Sequence, residues 1–332
     1  MLEGFILRLL LVPVVALLGI FFALLFNGID RRLAARMQAR IGPPIRQPFI
    51  DLKKLLMKEN IVPDTAIKWV FNLMPVVALT ASLLLLLYIP VFGLPPLFSA
   101  YGDIILVMYI LLIPALAMVL GGFASGSPYA SIGAQRETVL MMSYEFALAV
   151  VAVSIAWVFS VFAPGTNGFS LAVISSSPVW LLVGPVGWLG LLLLLVSLVM
   201  VMPAEVGRIP ADIAEAKTEI ADGIFVEYSG TNLALLYLSQ FVRTFAFASI
   251  IVALFLPWNL SDFTALTGAV ALVGNALFFL VKVFAVMFAG AIFVSVAVAR
   301  FKVDQAARAY WGPVVSIALL GLALIAFEMV IA

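Results

Sequence analysis

PVWLLVGPVGWLGLLLLLVSLVMVMP, Pro178 to Pro203, runs for 26 residues without a charged side chain. As a helix it would reach roughly 39 Å at 1.5 Å per residue, enough to cross the roughly 30 Å hydrocarbon core of a bilayer. The run is continuously apolar and does not alternate, so it does not read as a barrel strand. Lipid offers backbone amides no partner except one another, and a helix satisfies them all. Seven other charge-poor stretches resemble it, at 9–27, 68–90, 104–123, 138–162, 231–256, 267–299 and 313–331. The last but one is too long for a perpendicular crossing and should tilt or protrude. Pro75, Pro114 and Pro203 fall within or at the edge of spans, where kinks are expected.

The composition agrees. Of 332 residues, 65% are hydrophobic and 11% are charged, with a mean hydropathy of +1.23. A water-soluble domain is nearer half apolar and a quarter charged. The expected fold is therefore all-α: a polytopic membrane protein of about eight transmembrane helices, with residues 1–332 as one integral membrane domain. No small-residue cleavage site follows the first apolar run, so a cleaved signal is not expected. The net charge of +1 provides no field for nucleic acid. With no Cys and no His, the chain lacks the usual ligands of iron–sulfur clusters, membrane haems and structural zinc. No Gly-rich phosphate loop ending in Lys-Ser/Thr indicates a nucleotide site.

The basic residues give an orientation. The first connection and its edge hold Arg31, Arg32, Arg36, Arg40, Arg46, Lys53, Lys54, Lys58 and Lys68. Arg136 lies in the third connection, Arg208 and Lys217 in the fifth, and Arg300, Lys302 and Arg308 in the seventh. The second, fourth and sixth contain none. The positive-inside rule then puts both termini outside and the odd-numbered connections in the cytoplasm.

Two connections and three buried charges carry candidate chemistry. The fifth connection, AEVGRIPADIAEAKTEIADGIFVEYSG, holds six of the seventeen acids: Glu205, Asp212, Glu215, Glu219, Asp222 and Glu227. Glu215, Glu219 and Asp222 follow Asp212 by three, seven and ten residues, which on a helix is a stripe about 80° wide. Shielded from water, such a stripe could hold and pass protons. Exposed, it would be a solvated helix with acids near its N-terminus. Glu145 in VLMMSYEFALAVV lies inside the fourth span, where a carboxylate costs at least a few kcal/mol and faces a cavity or a partner. It reads as a relay or as one half of a buried pair with Arg136 or Arg243. Lys282 and Arg243, also within spans, follow the same logic: Lys282 is a candidate ion-pathway residue, and both also fit structural counter-ions. The first connection is basic and amphipathic. It suits either an interfacial helix held by anionic headgroups or a docking surface, with Arg36 and Arg40 central to it.

Four segments resemble one known family: DRRLAARMQARIGP (Asp30 to Pro43), GFASGSPYASIGAQRETVLMMSYEF (Gly122 to Phe146), the acidic loop ending Glu227-Tyr228-Ser229-Gly230, and ARFKVDQAARAYW (Ala299 to Trp311). The family is the H-subunit type of proton-pumping NADH dehydrogenase (complex I), with its relatives in energy-converting group 4 nickel–iron hydrogenases. The resemblance implies a subunit at the joint between a peripheral redox arm and a membrane arm. Its acidic loop would begin a polar path toward antiporter-like subunits. Glu145, Glu205, Asp212, Glu215, Glu219 and Glu227 match acidic positions of the family. Arg36, Arg40, Arg136, Arg208 and Lys282 match basic ones, and Asp222 is an additional acid.

The shorter stretch after IGP, Lys217 in place of a common acid and Ala214 in place of a common Pro depart from the complex I branch, and GAQRE at Gly133 to Glu137 looks closer to the hydrogenase branch. This implies the membrane anchor of a ferredoxin-linked, hydrogenase-type complex that moves protons or sodium ions. The chain itself would carry no cofactor, with the nickel–iron centre and iron–sulfur clusters in partner subunits. Expected partners are hydrogenase-like large and small peripheral subunits, antiporter-like and small membrane subunits, lipid, and ferredoxin as an indirect donor. The expected location is the cytoplasmic (inner) membrane. A quinone-chamber subunit of complex I, a related sulfur-reducing complex and, from a different class, a stand-alone ion transporter are the alternatives.

The orientation can be checked directly because the chain has no Cys of its own. A single cysteine at position 217 should react with an impermeant reagent only from the cytoplasmic side. Labelling from outside would reject the topology.

Overall fold

The computed structural model describes residues 2–98, 102–162, 167–264 and 267–331, with the side chains of residues 2–9, Arg8 among them, outside that description. Among the described residues every regular element is helical. Eight helical segments among the described residues are long and apolar enough to cross a membrane.

The elements follow in order: α1 (Leu2–Met37), α2 (Gln47–Leu56), α3 (Lys68–Tyr88), α4 (Ile104–Ala124), α5 (Pro128–Phe162), the short α6 (Leu171–Ile174), α7 (Pro185–Glu205), the short α8 (Lys217–Ile220), α9 (Gly230–Phe255), α10 (Gly268–Met287), α11 (Val294–Ala297), α12 (Val303–Ala309) and α13 (Val315–Ile331). A wide π-turn, Phe288–Phe293, joins α10 to α11, and another, Tyr310–Val314, joins α12 to α13. The seventh and eighth spans are thus continuous rods built from shorter pieces.

Helix ends differ from the sequence expectation where charges sit on a helix. The fourth span begins at Pro128, ten residues before the expected start. Its 35 residues reach about 52 Å, so it projects beyond the bilayer core and carries Arg136 and Glu137 on its first turns. The first span likewise continues through Asp30, Arg31, Arg32 and Arg36. The fifth starts later, at Pro185, because Val179–Leu181 forms a separate tight turn.

Two helices organise the bundle. α9 packs on α1, α3, α7 and α10, and it is the most buried span. Its apolar residues surround it, which suits a helix enclosed by others. α5 packs on α4, α7 and α13, so α7 bridges the two hubs. Lipid removes the hydrophobic drive for helix association, and close packing of small residues replaces it. Gly190 of α7 meets Gly321 of α13 in this way, since a Cβ built on Gly321 would lie 2.8 Å from the Gly190 carbonyl oxygen. Beside them, the Glu328 carboxylate of α13 accepts hydrogen bonds from the Gly184 and Gly187 amides at the start of α7. That helix end would otherwise present bare donors.

The loop 206–229 lies against α5 and α3. Tyr228 stacks on Phe71 with ring centroids 4.1 Å apart, and its hydroxyl donates to the Phe71 carbonyl at 3.3 Å. Gly133 lets the loop backbone press onto α5, as an added Cβ there would sit 2.8 Å from the Ala214 carbonyl oxygen and from the Ile224 nitrogen.

Gly321→Val should force α7 and α13 apart and destabilise the protein by about 1–3 kcal/mol, the usual cost of overpacking. Thermal unfolding in detergent measures it, and an unchanged midpoint would contradict the close approach.

Candidate functional site

The acids of the fifth connection do not form the single helix their spacing suggests. Ile213–Glu215 is one tight turn, α8 is a second, and Gly223–Phe225 a third. Ala216 is extended, and Ala221 and Asp222 both have positive φ, 50° and 75°. The physical reason is visible in the partners. A continuous helix would align four carboxylates that repel one another. The broken path gives each its own neighbour. Asp212 accepts from Arg300 at 2.7 and 2.5 Å. Glu219 pairs with Arg136 at 2.6 Å and Asp222 with Lys217 at 3.4 Å. Glu215 accepts from the Gln240 side-chain amide.

Glu215 is the loop acid that turns inward. Burial pushes its carboxyl up to about 8, helped by the Glu137 charge and opposed by the Gln240 hydrogen bond and the Arg243 charge. It lines a polar cavity of about 240 Å³ with Asn27, Arg31, Gln240 and Thr244. The Asn27 side chain is 3% exposed, and its carbonyl oxygen finds no hydrogen-bond partner among the described residues.

Behind Glu215 lies the most unusual cluster in the chain. Arg243 of α9 is 1% exposed, and none of its three guanidinium nitrogens has a hydrogen-bond partner among the described residues. Its charge acts on Glu137 of α5, Glu205 of α7 and Glu215. Glu137 and Glu205 are 3% and 2% exposed, and each has one carboxylate oxygen without a hydrogen-bond partner. The Tyr144 hydroxyl faces Glu205 but falls short of a hydrogen bond with it. Beyond Glu205, a largely apolar cavity of about 280 Å³ between α4 and α5 is lined by both Glu205 and Glu145. One oxygen of Glu145 is also buried and unpartnered.

The structure therefore brings Glu145, Glu205, Glu215 and Arg243 together and adds Glu137, which the sequence reading passed over. Glu137 fell just outside the expected fourth span, next to a charged neighbour. Its signal was the eight-residue spacing to Glu145, about two turns along one helix face. Asp30 was also passed over. It is buried and pairs with Arg208 at 2.6 Å, tying the loop to α1.

The remaining candidates lie elsewhere. Asp212, Glu219 and Asp222 form ion pairs around the loop. Glu227 is half-buried with no ion pair among the described residues. Lys282 is apart from the cluster: its ammonium donates to the Leu256 and Trp258 carbonyls at 2.7 and 2.6 Å and caps the far end of α9. Leu256 is thirteen residues beyond Arg243, roughly 20 Å along the helix. Arg36 and Arg40 are exposed where α1 ends. Among the described residues no group of three or more His, Cys, Asp or Glu is placed to hold a metal ion.

The fold and site are those of a multi-helix membrane protein with a carboxylate–arginine cluster inside the bundle. The chain belongs to the NADH dehydrogenase family, whose pattern matches residues 9–326. Hydrogenase-4 component C of Escherichia coli (strain K12) is 33% identical over 238 residues, 71% of this chain and 71% of that protein. The H subunit of the NADH-quinone oxidoreductase of Dehalococcoides mccartyi (strain ATCC BAA-2266 / KCTC 15142 / 195) is 30% identical over 332 residues, 97% of this chain and 88% of that one. A chain in the solved structure of the membrane-bound sulfane sulfur reductase, an archaeal respiratory membrane complex, superposes with a TM-score of 0.80 at 31% identity. The match covers 97% of this chain and 99% of that chain.

The raised Glu215 gives a pH test. A carboxyl whose folded value lies above its ordinary 4.5 favours the folded state below that range. The benefit is lost as pH rises from about 4.5 to about 8, because the unfolded group ionises first. Wild type should therefore lose thermal stability relative to Glu215→Gln across that window, with a flat difference above it. A difference independent of pH would show that Glu215 is not shielded.

Proposed function

We propose that this chain is the membrane anchor and coupling subunit of a respiratory, ferredoxin-linked, hydrogenase-type complex. It holds the peripheral redox subunits and links their reaction to the movement of protons or sodium ions. The likeness of GAQRE to the hydrogenase branch and the departure of the shortened first connection from the complex I branch support this reading, as does the similarity to a hydrogenase component and to a sulfane sulfur reductase chain. The nickel–iron centre and iron–sulfur clusters then belong to partner subunits.

One observation carries the coupling role: two buried carboxylates, Glu137 and Glu205, and the half-buried Glu215 share a single buried arginine, and among the described residues Glu137 and Glu205 each keep an oxygen without a hydrogen-bond partner. A structural ion pair would close its hydrogen bonds, because open ones in a low-dielectric interior cost the full desolvation penalty. A relay needs unfilled positions through which protons hop. Glu215 takes the ion from the loop side. Glu137 and Glu205 hold it within the field of Arg243. Glu145 passes it toward the α4–α5 face of the bundle. Asp212, Glu219, Asp222 and Glu227 form the rim, and Arg136 and Arg208 hold the loop in place. In this orientation the basic and acidic connections face the cytoplasm, both termini lie outside, and the multi-pass chain sits in the cytoplasmic membrane. Arg36 and Arg40 lie on the side where the peripheral subunits dock.

A second reading, the quinone-chamber subunit of a complex I, is favoured by the nearly full-length similarity to the H subunit of an NADH-quinone oxidoreductase. Tightly bound quinone in the purified complex would select it.

Glu145→Gln and Glu205→Gln keep the side-chain shape and remove the titration. Both variants should assemble and pass electrons from reduced ferredoxin under uncoupled conditions, yet lose ion uptake in sealed vesicles. An unchanged ratio of ions to electrons in both would leave the chain as an anchor alone.

A further inference from the structure

A third cavity, of about 290 Å³, opens between α2, α1 and α9. Its lining is two-natured. Pro48, Leu52 and Leu55 of α2 and the rings of Tyr237 and Phe241 of α9 make an apolar wall. Arg31, Lys54 and Lys58 supply three cations around it. Arg31 is fixed in place: it pairs with Asp51 at 2.9 Å and lies over the Phe241 ring at 5.9 Å. Asp51 is doubly engaged, since Gln47 also donates to it at 2.7 Å. The one acid lining the cavity is therefore already neutralised. Lys54 of α2 and Lys58, two residues past the end of that helix, pair with no acidic side chain among the described residues.

The depth of this cavity fits a particular kind of ligand. Tyr237 and Phe241 stand seven and eleven residues from Gly230, where α9 starts, which is roughly 10 to 17 Å into that helix. Arg31 stands where the apolar run of α1 gives way to charge. Cations at that level with apolar walls beside them match the boundary between headgroups and acyl chains. Lys54 and Lys58 are exposed at the mouth of this cavity, whereas a peripheral protein would meet the outer surface of the segment, where Lys53, Leu56 and Met57 are exposed and line no part of it.

We propose that this cavity seats one anionic phospholipid. Its phosphate lies between Lys54 and Lys58, and the upper part of a chain runs along Leu52, Leu55, Tyr237 and Phe241. The bound lipid fills the space under α2 and holds that helix against α9. Arg31, Tyr237 and Phe241 also line the polar cavity containing Glu215, so the lipid forms the outer wall of that cavity. The inference does not depend on the coupling role.

Native mass spectrometry of the whole detergent-extracted complex, titrated with phosphatidylglycerol or with phosphatidylcholine of the same chains, tests it. Wild type should hold one phosphatidylglycerol in preference to phosphatidylcholine, more weakly as salt rises. Each lysine beside an anionic headgroup contributes about a factor of five. Lys54→Gln/Lys58→Gln should thus bind roughly thirtyfold more weakly, while Lys53→Gln on the outer face binds as wild type does. Equal binding by the double variant, or no preference over phosphatidylcholine, would overturn the proposal. So would a neutral quinone in the cavity, or loss of peripheral subunits from the double variant with lipid binding unchanged.

Discussion

One constraint shapes the interior of this protein: Arg243 carries a permanent charge that water cannot reach. A guanidinium does not escape burial by losing its proton, so its surroundings must supply negative charge. Glu137, Glu205 and Glu215 do so from α5, α7 and the loop 206–229. The two hub helices and their bridge are thereby joined at one point by charge as well as by packing. Three carboxylates exceed what one arginine can balance. The guanidinium is therefore shared rather than committed to one partner.

The loop that completes the cluster is held on all sides. Asp212 reaches Arg300 between the last two spans, Glu219 reaches Arg136 on α5, and Arg208 reaches Asp30 on α1. These pairs are partly exposed and individually modest. Together they hold a chain with little regular structure, while Phe71, Gly133 and Tyr228 settle its backbone onto α3 and α5. Glu215 can then face inward, because its neighbours in sequence are committed outward.

The eight spans were legible because lipid tolerates so few backbone solutions, and 26 uncharged residues in a row leave little choice. Glu145 and Arg243 were legible for the same reason: charge in an apolar run is conspicuous. The path of the acidic loop was not. Its 0, 3, 7, 10 spacing is helical, yet repulsion along the stripe and the pull of Arg136, Arg300 and Gln240 broke the helix into turns. Those three partners come from three distant segments, and a local pattern cannot show them. Glu137 was hidden because charge was used to mark the end of a span, whereas α5 continues past it to Pro128. Lys282 shows the reverse limit. As an intramembrane cation it looked like a pathway residue, and its carbonyl contacts cap α9.

Glu328 and Glu145 show how differently two carboxylates of this chain are held. Both sit on membrane-spanning helices. Glu328 spends both oxygens on the bare amides at the start of α7, where it closes a helix end. Glu145 keeps one buried oxygen unfilled and faces a cavity that it shares with Glu205. What differs is how far the surrounding donors satisfy each carboxylate. Around Arg243 they do so only in part, because one cation is divided among three acids. A proton taken up by any one of them frees a share of the arginine's field for the other two, so occupancy at the loop side is felt at Glu205 through space, without any helix having to move.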